Sequence, residues 1–174
     1  PSEIYDMAFQ RAGMLRVRTI EALFHAARTL SSGKTLRGDR LIIVSNGTSA
    51  GVMAADALLA GKEGNLAVLS EESCAAIDEL LGRNWIGGNP VGIPYNADAA
   101  TYAELVNILA RDKGVDAILL MHVPYSESSG LAVAEPLIAH LKKVKRLTLL
   151  SWMGAESSTA ARHLFDLSGL PSYE

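Results

Sequence analysis

The sequence predicts an α/β fold, a flavodoxin-like three-layer sandwich built on a mostly parallel sheet. Short aliphatic runs alternate with helical repeats of about a dozen residues, the pattern of strand–helix–strand units with right-handed crossovers. Runs such as Leu41-Ile42-Ile43-Val44 and Ile118-Leu119-Leu120-Met121 are continuously apolar, as strands covered on both faces can be. Small and polar residues follow the ends of these runs, where such sheets turn into helices. With 174 residues and 49% hydrophobic content, the chain can bury roughly 70% of its unfolded surface in one compact domain.

The elements follow in order. Ile4, Met7 and Ala8 recur at helical spacing, Gly13 breaks the pattern, and Met14-Leu15-Arg16-Val17 is extended in character. Ile20, Leu23, Phe24, Ala27 and Leu30 mark a second helix, and Ser31-Ser32-Gly33 opens a polar connector. Residues 1–36 therefore form an N-terminal helical segment and connector, and residues 37–174 the sandwich domain. Strands are expected at Arg40–Ser45, Asn65–Leu69, Asp116–His122 and Leu147–Trp152, with a short one near Val91. Helices are expected at Ser49–Ala60, after Ser70-Glu71-Glu72 (an N-cap with two acids in the first turn), after Asp98, around Leu131–Leu141 and around Ala160–Phe165. Leu170-Pro171-Ser172-Tyr173 starts a further element.

Charge and composition exclude several classes. A net charge of −3 and a pI near 5.8 give no global field for nucleic acid or anionic lipid. The single Cys74 excludes an internal disulfide and a multi-cysteine zinc site, and reads as a small buried hydrophobe in a reducing compartment. No apolar run reaches the roughly 20 residues of a membrane helix. These features predict a cytoplasmic domain, and a start at Pro1 reads as trimmed from something longer.

Ligands of such sheets sit beyond the carboxyl ends of the strands. The most informative of these is Ser45-Asn46-Gly47-Thr48-Ser49-Ala50-Gly51, where Asn46, Gly47, Thr48 and Ser49 form a helix start able to face an anion or phosphate. Asn89, Pro90, His122, Trp152, Gly154 and Glu156 lie on the same predicted edge. The loop fits other motifs too. Gly47-Thr48-Ser49-Ala50-Gly51 matches G-x-S-x-G, which would make Ser49 the nucleophile of a serine hydrolase. Against that, the loop follows the first strand rather than several, and His163, the late histidine, sits in an ordinary helical pattern. The loop also resembles the phosphate loop of a flavin-mononucleotide-binding module, with Trp85 and Tyr95 as stacking candidates, although core or rim packing explains both rings. Phosphate-loop NTPase and dinucleotide patterns fail. Small residues that let helix and strand pack closely account for the loop equally well.

Other chemistry-bearing residues have plain structural readings. His25, His140 and His163 fall in helical stretches, and no pair has metal-ligand spacing, so no metal is expected. His122 closes a buried strand, where a functional role and a satisfied core histidine compete. Lys142-Lys143-Val144-Lys145-Arg146 ends a helix and suits its dipole. Glu71, Glu72 and Asp98 belong to helix starts. No catalytic constellation emerges.

Tyr5–Val17, the run Leu41–Leu58, Gly88-Asn89-Pro90-Val91 and Ser151-Trp152-Met153-Gly154-Ala155-Glu156 resemble, in order, the NDP-forming acyl-CoA synthetases, relatives of succinyl-CoA synthetase. Leu36-Arg37-Gly38-Asp39-Arg40-Leu41 with Ser45-Asn46-Gly47 is most similar to bacterial protein lysine acetyltransferases that carry such a region. The resemblance implies a ligase-type domain beside CoA-binding, ligase and ATP-grasp domains, with CoA or acyl-CoA and ATP or ADP as ligands of the parent rather than of this segment. It also implies a phosphohistidine loop upstream, so none of the four histidines here inherits that role. The helix start facing it maps to Asn46–Ser49. Gly92 replaces the acid of Asn-Pro-Val-Asp, Asn46-Gly47-Thr48-Ser49 replaces Asn-Ala-Gly-Gly, and Ala155 replaces a frequent glycine. The expectation is a domain without catalysis of its own, serving docking or regulation. A homo-oligomer is compatible with it.

Overall fold

A computed structural model of the chain describes residues 2–61, 64–82, 85, 87–126 and 129–173. The chain divides into two units, Pro1–Ser32 and Gly33–Glu174. The first holds α1 (Ser2–Arg11) and α2 (Ile20–Ser31). Gly13, at φ 66°, closes α1 with bonds from its own N–H to Gln10 O and from Met14 N–H to Phe9 O. That double closure needs the left-handed backbone glycine adopts freely. Thr19 caps α2 by accepting from Ala22 N–H.

The second unit contains β1 (Arg40–Ser45), α3 (Thr48–Gly61), β2 (Asn65–Leu66), α4 (Glu71–Leu81), β3 (Val91–Gly92), α5 (Ala99–Arg111), β4 (Ala117–His122), α6 (Ser129–Leu141), β5 (Leu147–Trp152), α7 (Thr159–Leu167) and β6 (Ser172–Tyr173). Its sheet runs β2-β1-β4-β5-β6, with β3 on the β2 side of β1, and every pairing is parallel. The α/β class and parallel sheet expected from the sequence are therefore present. Ile42, Val44, Ile118, Leu120, Leu150 and Trp152 pack against buried residues of α4 to α7, among them Ile77, Leu105, Leu137 and Phe165. Ile43 and Met121, one position out of phase, face Ala55 of α3. The alternation gives one helical layer on each side of the sheet. Predicted caps hold as well: Ser70 accepts from Ser73 N–H at 3.2 Å and Asp98 from Thr101 N–H at 2.8 Å.

Two elements differ from expectation. The strand expected over Asn65–Leu69 pairs only at Asn65–Leu66, because farther along β1 the same edge is taken by β3. The closing segment, read only as the start of something, pairs with β5 through Leu150↔Ser172 and Ser151↔Tyr173.

Candidate functional site

Successive strands are added first on one side of β1 and then on the other, so the sheet's topological switch point lies between β1 and β4. Open sheets of this kind bind ligands there, above the carboxyl ends. In this protein Asn46 spans that point. Its Oδ1 accepts from Val123 N–H at 2.7 Å, and its Nδ2 donates to Val123 O and Tyr95 O, both at 2.9 Å. Asn46 is 7% exposed, and its amide is used entirely in joining three loops. Gly47 is bound internally too: its N–H donates to Ser45 Oγ, which donates to Gly47 O.

The anion-facing capacity of this loop therefore rests on the next turn. Gly51 N–H makes the first bond of α3, to Gly47 O, which leaves the Thr48, Ser49 and Ala50 amides without intrahelical acceptors. Thr48 and Ser49 are exposed. Thr48 also lines a cleft of about 470 Å³ together with Gly51, Trp85, Asn89, Pro90 and Ile93. The structure thus brings Thr48, Asn89 and Pro90 into one mostly apolar concavity. Small residues serve packing there as well: a Cβ on Gly51 would lie 3.2 Å from both Ser45 and Pro90.

Asn89 lies at this cleft, but its amide serves the sheet. Oδ1 accepts from Ile43 N–H at 3.0 Å, and Nδ2 donates to Leu41 O at 2.7 Å and Ala67 O at 3.2 Å. It fills the edge of β1 between β2 and β3. Two asparagines thus replace backbone partners, one on each side of the same strand.

His122 and Trp152 are fully buried and stack at 5.2 Å between ring centroids. Tyr102 donates its hydroxyl to Met121 O and lies 3.3 Å from His122 Nδ1. Ser129 Oγ lies 3.4 Å from Nε2 and donates to Ser126 O. Burial pushes the imidazole pKa down to about 4, so the ring is neutral near pH 7. Trp152 Nε1 donates to Gly130 O. Both rings act as core. Gly154, at φ 97°, has Ser157 and Pro124 where a Cβ would stand, so it shapes the β5–α7 turn. Glu156 is exposed.

For a hydrolase, Ser49 would need a histidine partner. Among the described residues no histidine bonds to it: His122 is engaged with Tyr102 and Ser129, and His163 is exposed on α7. Trp85 is 7% exposed and donates to Asp78, whereas Tyr95 is 68% exposed against Tyr125, so the two form no flavin sandwich. No group of three or more His, Cys, Asp or Glu that could hold a metal occurs among the described residues. Nor is any helix among them long and apolar enough to cross a membrane.

Sequence reasoning missed the backbone of Val123 and Tyr95, which carries no residue-type signal. It also missed Arg162, which donates to Trp152 O at 3.0 Å and Ala155 O at 2.9 Å and ties the β5–α7 turn together.

No family model matches the chain. Over 171 residues it is 27% identical to 4-hydroxybutyrate–CoA ligase (ADP-forming) of Nitrosopumilus maritimus, covering 98% of this chain and 24% of that protein. It is 25% identical to the alpha subunit of acetate–CoA ligase (ADP-forming) I of Pyrococcus furiosus, over 98% of this chain and 37% of the subunit. The chain is similar to part of ADP-forming acyl-CoA ligases. A crystal structure of a Pyrococcus horikoshii protein superposes with a TM-score of 0.85 at 28% identity, covering 99% of this chain and 40% of that one. The dinucleotide-forming acetyl-coenzyme A synthetase 1 of Ca. Korarchaeum cryptofilum shares the fold at a TM-score of 0.88 and 21% identity, over 38% of its length. The chain spans about a quarter to two fifths of these ligases and structures.

Proposed function

We propose that this chain is a ligase-type domain of an ADP-forming acyl-CoA synthetase-like protein, inactive alone, whose α3 start receives a phosphate or acyl-CoA phosphate presented by the rest of the parent. The observation that carries this reading is the run of open amides at Thr48, Ser49 and Ala50 on the rim of the Thr48–Pro90 cleft, in a chain matched almost end to end by ADP-forming CoA ligases. A helix N-terminus carries about half a positive charge and favours such a group. Asn46 and Gly47 are the scaffold of this site and Thr48 to Ala50 its contact surface. Neighbouring CoA-binding, ligase and ATP-grasp domains are the partners of this reading, with CoA and ATP or ADP as the parent's ligands. Gly92, Ser49 and Ala155, where the family pattern has other residues, favour the lysine-acetyltransferase form of the parent and a docking or regulatory role.

Calorimetric titration with phosphate, ADP, CoA and acetyl-CoA tests it. Millimolar or tighter binding that Thr48→Asp abolishes supports the site, since the new carboxylate occupies the helix start. Absence of binding by all four at millimolar concentration leaves a scaffold only. The full parent sequence decides between its two forms: a histidine in the upstream loop means synthetase, and a downstream acetyl-CoA-binding fold means acetyltransferase.

A further inference from the structure

Gly92 is a strand residue for which neither backbone nor packing calls for glycine. It stands in β3 in register with Ser45, and Ile93 N–H bonds Ser45 O at 3.0 Å. Its φ lies outside the left-handed region, and among the described residues a Cβ built on it would meet no atom within 4 Å. Gly51 is the contrast, since a Cβ there would crowd Ser45 and Pro90 at 3.2 Å. Glycine weakens a strand through chain entropy and forgone packing, and such glycines often mark where a ligand approaches the backbone closely. Val91 is fully buried in the core beneath α4 to α7. By strand alternation Gly92 turns to the α3 face, where it lines the cleft of about 470 Å³.

The rest of the lining limits what can lie on that bare backbone. Val52, Leu81, Trp85, Pro90, Ile93 and Pro94 make the walls apolar. Apart from Thr48, the polar side chains that reach the cleft are already used. Ser45 Oγ donates to Gly47 O, Trp85 Nε1 donates to Asp78, and the Asn89 amide holds three backbone groups of the sheet. Among the described residues no charged side chain lines the cleft. A polar group carried inside would lose water and find no free side-chain partner there, which costs binding energy. The open amides of the α3 start adjoin the cleft through Thr48. The volume falls in the roughly 300–1,000 Å³ range of small-molecule sites.

We infer that this cleft takes a short aliphatic chain ending in phosphate, and that Gly92 sets this specificity by leaving the strand backbone bare along the chain. The inference rests on the phosphate reading of the α3 start and adds an apolar body to that head group. A side chain at position 92 would occupy the space the aliphatic chain uses.

The test is calorimetric titration of the 174-residue protein with inorganic phosphate and with ethyl, butyl and hexyl phosphate. Each methylene that enters the cleft should tighten binding about fourfold. In Gly92→Val that dependence is expected to vanish, butyl and hexyl phosphate binding no more tightly than inorganic phosphate does to the same variant. Gly92→Ala should reduce it. Both variants should melt about 1–4 °C above the wild type, because a side chain with room for it suits a strand and restricts the unfolded chain. Loss of the chain-length dependence in a variant that melts no lower establishes the inference. Equal affinities along the series in the wild type overturn it and leave the α3 reading standing, as does a dependence that persists in Gly92→Val. Should Gly92→Val melt early, Gly92→Ala decides, and an undiminished dependence there overturns the inference. Failure of every probe to bind, inorganic phosphate included, overturns both readings.

Discussion

Asn46 pairs with Val123 as a strand residue would, its side-chain amide taking both the N–H and the C=O of a residue 77 positions away. The β1–β4 ladder ends in backbone pairing at Ser45↔Met121, and the Asn46 side chain prolongs it across the switch point. The crevice where a ligand would enter such a sheet is thereby bridged. In the function proposed above, a ligand would instead meet the α3 start and its apolar cleft.

Replacing Asn46 by Ala strands Val123 N–H and the Val123 and Tyr95 carbonyls at a part-buried junction. A loss of about 2–3 kcal/mol is expected from the desolvation of unmade bonds. Denaturant unfolding measures it, and a loss under about 0.5 kcal/mol, the scale of a surface change, would contradict the clamp.

Gly47 lies against the same residue, since a Cβ there would stand 2.6 Å from Val123 Cγ2. Gly47→Ala should cost about 1–3 kcal/mol by overpacking, and Val123→Ala in the same molecule should recover part of it. Additive losses in that double-mutant cycle would mean the two do not touch.

On the other edge of β1, Asn89→Ala is expected to destabilise by about 2–4 kcal/mol, because Ile43 N–H and the Leu41 and Ala67 carbonyls lose their partner. Asn89→Asp keeps an acceptor for Ile43 but offers no donor to the carbonyls, and should lose nearly as much. Amide exchange at Ile43 reports the effect directly, and unchanged protection in Asn89→Ala would refute it.

His122 makes stability depend on pH. Its folded pKa, held down to about 4 by burial, lies below the ordinary value near 6.5, so the unfolded chain binds the proton more readily. The contribution is complete above pH 6.5 and is lost as pH falls toward 4. Melting temperature should drop across that window, and His122→Phe should flatten the drop. An unaltered pH profile in the variant would remove His122 as its cause.

A second window lies lower. Arg40 bonds Asp116 through Nε at 2.7 Å and Nη2 at 3.0 Å, and holds its carboxyl down at about 2. The stabilisation is present above about pH 4 and lost as pH falls through 2. Asp116→Asn should abolish the part of the acid titration between those limits, as read by NMR of the Arg40 side chain.

The periodicities of the sequence were enough for the alternation of strands and helices and for the helix starts at Ser70 and Asp98, because each depends on neighbours within a few residues. The α3 loop was legible for the same reason: a strand, a turn of small residues and a helix are contiguous. The sequence could not divide its work, giving Asn46 and Asn89 to the sheet while Thr48 kept open amides.

Residue types and their spacing thus determined the class of fold, the caps and the edge on which to look for a ligand. Tertiary structure alone decided that His122 and Trp152 are core and that Asn46 clasps Val123. It also left Gly92 bare on the Thr48–Pro90 cleft. Those outcomes depend on which distant backbone atoms and helix ends meet, and neither partner's identity announces the other along the chain.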